Sequence, residues 1–385
     1  MGSAHCFHVH TPCAVFAFDG YANWTFQAKL TAAPLDSSSP RLFGCSVAVH
    51  GDTIVVGAKH YDTATDKNNS GQAFVFLRTG APLGGTWALQ ANLSASDSSI
   101  NSEFGFAVDI HGDRIVVGAP KADAVGAGTD YGNGAAYVFD RSVGVWTQSQ
   151  RLAAGTQQNV HDHFGTSVAL SATYLVVGAP GPIKTAIQFV YVFTYSASWT
   201  QLQALAQPNV PGNTSTLTKA QGFGKAVAVS GDVLLLGAPD TNYPPNPGEE
   251  WGAAYVYTKN SSNFGFTQEL RGEPNPQIYT HFGSDVDIVG TDAIVGSALW
   301  PLNSGSGYYS QSGAAYTFTR PSAKWNANAF HVPPIVAPLP NTTAWGFGHS
   351  VAMDNTAGTG NPLTVLVGAP VANASAGLAF TWLGA

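Results

Sequence analysis

Charge is scarce in this chain of 385 residues, where only 10% are Asp, Glu, Lys or Arg. The formal net charge is -7, from 16 Lys and Arg against 23 Asp and Glu, so the basic footprint of a nucleic-acid or anionic-membrane partner is missing. Methionine is nearly absent, at 2 residues. No apolar run approaches the roughly 20 residues of a membrane-spanning helix, so insertion of this chain into a membrane is not expected. Cysteine is also rare: Cys6 and Cys13 lie near the start and Cys45 stands apart. An odd number without metal-ligand spacing predicts no disulfide framework. The opening "MGSAHCFHVHTPCAVFAF" lacks a basic segment, an apolar run and a small-residue cleavage site, so no signal peptide is expected in it. That leaves either a cytoplasmic chain or a start that lies upstream.

What is abundant is glycine, 43 residues, and proline, 23, within a composition that is 44% hydrophobic. Many short strands joined by turns fit this balance, which predicts an all-β protein. A repeat organises them. Phe-Gly pairs occur at Phe43, Phe104, Phe164, Phe223, Phe282 and Phe347, and each precedes an apolar run such as "TIVVGAK", "RIVVGAP" or "VLLLGAP".

Each unit reads as four strands. After Phe-Gly the pattern alternates, with Phe104, Phe106, Val108 and Ile110 on one face and Gly105, Ala107 and Asp109 on the other. The Val/Leu/Ile run does not alternate, which predicts burial on both faces. "GAAYVFDR" and its counterparts supply a third strand rich in aromatic and β-branched residues. A fourth, half-exposed strand opens on Trp87, Trp146, Trp199 or Phe264. Four-stranded antiparallel units repeated around an axis predict a β-propeller. The Phe347 unit stops after three strands, while "WTFQAKL" (Trp24 to Leu30) matches a fourth strand such as "WALQANL". Strands from both termini are therefore expected to close the ring at six blades, after a tail at 1–13 and within one domain at 14–385. "AVFAF" (Ala14 to Phe18) repeats a third strand. It is either surplus or part of a seventh blade, which keeps seven as the alternative.

These repeats resemble the FG-GAP repeat family, best known from the propellers at the head of integrin alpha chains, over nearly the whole chain from Ala14 onward. The resemblance implies an extracellular or cell-surface adhesion and ligand-binding module, lectin-like in some members. In several integrin repeats an Asp-rich loop holds Ca2+, which needs six to eight oxygens. Here the corresponding loop is only "HGD" in two units, and the last unit offers just Asp354 and Asn355. No cofactor is expected, with Ca2+ at that last loop as the one exception considered.

Antiparallel order places the loops before Phe-Gly and after Gly-Ala-Pro at one end of each unit, and a rigid scaffold with variable loops is where binding residues concentrate. The aromatic residues Tyr131, Tyr243, Trp251, Trp300, Tyr308 and Tyr309 are candidate contacts for a sugar ring or a protein anchor, with packing on their own scaffold as the plainer reading. Asp62 and Asp66, or Asp123 and Asp130, read as turn-forming acids before cation ligands. Asp109, Asp285 and Asp287 lie on the small-residue face, where paired acids lining a central channel are one reading and acceptors for backbone donors or channel water the plainer one. His5, Cys6, His8 and His10 form a tail cluster, and His161 beside Asp162 lacks a nucleophile. N-x-[ST] sequons at Asn23, Asn68, Asn92, Asn213, Asn260, Asn341 and Asn373 favour a secreted glycoprotein. The leading expectation is a non-enzymatic module that binds a protein or glycan. The alternatives are a propeller glycosidase or lyase using acids such as Asp130, His161 and Glu250, and a structural module that assembles with other domains or subunits.

Overall fold

A computed structural model describes residues 15–19, 25–31, 42–62, 69–80, 85–122, 132–155, 162–181, 187–209, 221–242, 251–272, 280–298, 313–320, 348–354, 364–369 and 378–383. Among these residues there are strands and turns but no helix. The chain divides into two compact units, Met1–Gly181 with Thr194–Thr200, and Pro182–Phe193 with Gln201–Ala385.

The first unit starts with an antiparallel pair, β1 (Val15–Asp19) and β2 (Thr25–Leu30). A four-stranded sheet follows in the order β3 (Phe43–His50), β4 (Thr53–Ala58), β5 (Gln72–Thr79) and β6 (Thr86–Leu93). The next repeats this order with β7 (Ala107–His111), β8 (Arg114–Ala119), β9 (Ala135–Ser142) and β10 (Val145–Leu152). A third such sheet, through which the division between units runs, has the order β11 (Ser167–Leu170), β12 (Tyr174–Ala179), β13 (Phe189–Tyr195) and β14 (Trp199–Ala206). The second unit contains the sheet β15 (Ala226–Ser230), β16 (Val233–Ala238), β17 (Ala253–Asn260) and β18 (Asn263–Leu270). After it come two three-stranded sheets, β19 (Phe282–Val289), β20 (Asp292–Ser297) and β21 (Ala314–Thr319), then β22 (Ser350–Asp354), β23 (Thr364–Ala369) and β24 (Leu378–Leu383).

The fold class is thus all-β, with antiparallel blades of the propeller kind. Among the described residues five blades are counted, not the six expected or the alternative seven. Four sheets have four strands, β19–β21 and β22–β24 have three each, and β1–β2 has two. The expected closure by strands from both termini is not confirmed: among the described residues β2 pairs with β1, from Val15↔Leu30 to Asp19↔Thr25. A partner just across residues 20–24 closes a far shorter loop than one at the opposite end of the chain, so the local pairing costs less entropy.

The apolar run of the second strand is buried throughout, as in β4, β12 and β16. Its lack of alternation has a direct cause. Ile54 and Val56 join Val15, Leu30, Phe43 and Phe74 in one cluster, whereas Val55 and Val75 join Phe104, Val108, Ile115 and Val117 in another. Each face of the strand therefore meets a different neighbouring sheet. Phe43, Phe104, Phe223 and Phe282 of the Phe-Gly pairs each stand edge-on or tilted to two aromatics of the third strand. Phe104 lies 5.4 Å from Tyr137 and 6.1 Å from Phe139, and Phe282 lies 5.3 Å from Tyr316 and 6.2 Å from Phe318. Full burial of such a ring contributes about 1.5–3 kcal/mol.

One strand boundary differs from expectation. β7 begins at Ala107, and Phe104 makes a parallel bridge to Gly71 of the preceding sheet instead of extending its own strand. The same bridge recurs at Gly134–Phe164 and Gly252–Phe282. Phe-Gly therefore fastens a blade to the one before it. Outer strands are fastened too: Gln150 accepts from Trp199 N and donates to Trp199 O, at 2.9 and 2.8 Å, and Gln203 does the same with Phe264 at 2.9 and 3.0 Å.

Candidate functional site

The loops before Phe-Gly and after Gly-Ala-Pro meet at one end of the blades, as antiparallel order requires. In the first unit their meeting point is Glu103, whose Oε1 lies 2.7 Å from Lys121 Nζ and 3.5 Å from His60 Nε2. The Glu103 side chain is 9% exposed, against 49% for Lys121 and 34% for His60, so a nearly buried carboxylate is covered by two reachable cationic or ionisable groups. The backbone explains the placement. Glu103 has φ 56°, and the residues at the same repeat position, Leu42, His163 and His281, have φ 48°, 53° and 52°. Glu103 N donates to Asn69 O at 3.1 Å and Phe106 N to Glu103 O at 3.1 Å, so the scaffold holds this unfavourable conformation from both sides. The blade dictates the backbone, and the side chain varies from blade to blade.

Around this trio, Asn69 Nδ2 donates to Asn101 Oδ1 at 3.1 Å and the Lys59 ammonium lies 4.4 Å from the Phe106 ring centroid. Carboxylate, amide, imidazole, ammonium and aromatic groups thus share one loop end, a set able to donate to and accept from hydroxyls. The second unit has an acid–base pair between the residue after Gly-Ala-Pro and the residue after Phe-Gly. Asp240, with a side chain 4% exposed, lies 2.6 Å from Lys225 Nζ.

Of the six loop aromatics named from the sequence, Trp251 can be placed: it is half-buried, and its carbonyl accepts from Phe282 N at 3.1 Å and from the Thr280 hydroxyl. Tyr131, Tyr243, Trp300, Tyr308 and Tyr309 lie outside the described residues, as do Asn355, Asp66, Asp123, Asp130, His161, Glu250 and the tail cluster. Asp62 has the turn role expected, since its Oδ1 accepts from Asn69 N at 2.7 Å. Asp354 closes β22 opposite Thr364. Among the described residues no three His, Cys, Asp or Glu side chains converge as metal ligands. Asn92 and Asn260 are exposed, and the other five sequons fall outside the described residues. Cys45 donates to Gly105 O at 3.2 Å, and burial pushes its thiol up, away from reactivity.

The three strand acids do bind backbone donors, and in a specific way. Asp109 accepts from Ile110 N at 2.8 Å on its own strand and from Leu170 N at 2.6 Å on β11 of the next sheet. Asp285 accepts from Val286 N at 3.0 Å and Val351 N at 2.8 Å, and Asp287 from Ile288 N and Met353 N, both at 2.8 Å. Edge strands expose alternate N–H groups, and these carboxylates join two edges.

Sequence reasoning did not single out Glu103, Lys121, His60 or Lys59. The available signal was positional: Glu103 directly precedes Phe-Gly and Lys121 directly follows Gly-Ala-Pro, the loop ends where binding residues were expected.

Three segments, residues 24–76, 87–139 and 146–193, match the family model of the FG-GAP repeat. Each runs from the outer strand of one sheet through three strands of the next. No curated protein matches the chain. Among solved structures, a "putative 6-phosphogluconolactonase" from Bacteroides fragilis is similar over 99% of this chain and 93% of that one, with a TM-score of 0.55 and 10% identity. At that identity the likeness concerns the fold alone.

Proposed function

We propose, for a chain that carries FG-GAP repeats at residues 24–76, 87–139 and 146–193, that it is a non-enzymatic, extracellular adhesion module binding a glycan or a protein through its loop end. The observation that carries this reading is the Glu103 trio. A nearly buried carboxylate is held by a left-handed backbone that the blade imposes, with Lys121 and His60 reachable above it. Preorganised polar groups on a rigid frame lower the ordering cost of binding. Lys59 over Phe106 adds an amphipathic surface suited to a sugar ring or a peptide. The exposed sequons at Asn92 and Asn260 support passage through a secretory route.

The test uses the purified chain on a glycan array and on a panel of purified matrix proteins, beside a Lys59→Ala/Lys121→Ala variant. Saturable binding to one class, weakened at least tenfold in the variant, is the expected result. Silence on both surfaces, or binding that the variant retains in full, removes the reading.

A further inference from the structure

Asp285 and Asp287 are two residues apart on β19, so both carboxyls leave the strand on the same side. Each accepts one amide from β19 itself and one from β22. β19 and β22 are edge strands of successive sheets in the second unit, and the two β19 carboxylates supply the acceptors for amides on both edges.

We propose that Asp285 and Asp287 form a proton-sensitive joint between β19 and β22, closed at four backbone amides when both carboxyls are ionised and released at one amide per acid when they take up protons. An ionised carboxylate offers two accepting oxygens, whereas a protonated one turns an oxygen into a donor that faces an N–H. A buried amide left without an acceptor is costly, so the strands must part locally or recruit water.

The surroundings bring the change into an accessible pH range. Burial pushes Asp285 up to about 7, against the lowering effect of the Val351 and Val286 amides and with the Asp287 charge adding to the rise. Burial likewise pushes Asp287 up to about 6, opposed by the Met353 and Ile288 amides and reinforced by Asp354. On the strands packed around β19, β22 carries Asp354, with His349 just before it, and β20 carries Asp292, which accepts from the Thr319 hydroxyl at 2.7 Å. β15 and β16 carry no titratable side chain, and β17 carries Tyr255, Tyr257 and Lys259. The pair therefore faces mainly its own charge and that of Asp354. This joint is independent of the ligand proposed above.

The experiment follows the four amides and the two carboxyl carbons by NMR in the full chain from pH 8 to pH 5. The expected result is titration of both carboxyls within that window, with protection at one amide of each pair falling roughly fivefold to tenfold after correction for intrinsic exchange. Asp285→Asn with Asp287→Asn leaves an N–H2 facing one amide at every pH and is expected to flatten the response. Carboxyls that titrate below pH 5, or amides in the variant that keep the wild-type pH dependence, overturn the proposal. If the variant does not fold, the wild-type carboxyl midpoints decide alone.

Discussion

The carbonyl oxygen of Gly105 lies where a β-carbon on Gly57 would have to be, so the second strand of one blade and the Phe-Gly turn of the next touch through bare backbone. Gly118 meets Gly165 in the same way, and in the second unit Gly237 meets Gly283. Gly105 reaches this position with φ 88°, which a side chain resists. Gly57→Ala is therefore expected to destabilise the fold by about 2–3 kcal/mol, since the obstructing atom belongs to backbone and cannot rotate away. Gly265→Ala, at a strand position with open space and an ordinary φ, is expected to be neutral or stabilising by about 0.4–1 kcal/mol. Urea unfolding of both variants checks the contrast, and equal effects would contradict it.

The acids of β19 also give the stability of the second unit a pH dependence with a definite sign. Their folded-state values, about 7 and about 6, lie above the ordinary 3.8, so the native state holds protons that the unfolded chain has released. Relief of the two buried charges outweighs the one amide that each acid gives up on protonation, so their contribution is fullest below about pH 4 and is lost as pH rises through 6 and 7. The expected loss across that window is at least about 1 kcal/mol. Denaturant midpoints from pH 4.5 to 8 measure it, and Asp285→Asn/Asp287→Asn is expected to flatten the slope.

How far the sequence carried depended on whether a contact repeats. Phe104, Gly105 and Gly118 were legible because the same pattern returns in register along the chain, and a periodic pattern can be read without knowing its partners. The pairing of β2 with β1 was not, since an alternating strand such as "WTFQAKL" fits beside any third strand and its sequence does not name which. The need of Asp285 for backbone donors followed from burial alone, but Val351 as the donor depended on two sheets lying edge to edge. Glu103 and Lys121 are 18 residues apart and meet only because β7 and β8 fold back on each other. Their places beside Phe-Gly and Gly-Ala-Pro are readable in the sequence, but their pairing is not.

The Glu103–Lys121 pair is expected to be worth about 0.5–1 kcal/mol, because Lys121 is half in solvent and the interaction is screened there. A double-mutant cycle with Glu103→Gln and Lys121→Ala isolates that coupling. Lys121→Ala alone is expected to cost more than the double variant, since it leaves a nearly buried carboxylate with His60 as its remaining partner. Raising the salt concentration should shrink the coupling, and a coupling that does not respond to salt would mean that packing, not charge, holds the two together.

Asn260 offers the most direct check on the extracellular reading. It ends β17, opposite Asn263, and the turn that follows places Ser261 at φ 58° in an exposed hairpin tip, where a transferase can reach the amide without unfolding a strand. Asn92 is exposed as well but lies within β6, paired with Phe74, so its backbone is committed to the sheet. When the chain is expressed through a eukaryotic secretory route, Asn260 is therefore expected to carry glycan at higher occupancy than Asn92. Peptide mass spectrometry before and after enzymatic deglycosylation reads both sites. Asn260→Gln is expected to remove one glycan mass and, because the side chain faces solvent, to change stability by no more than about 0.5 kcal/mol. An unmodified Asn260 in secreted protein would remove this support for the extracellular assignment.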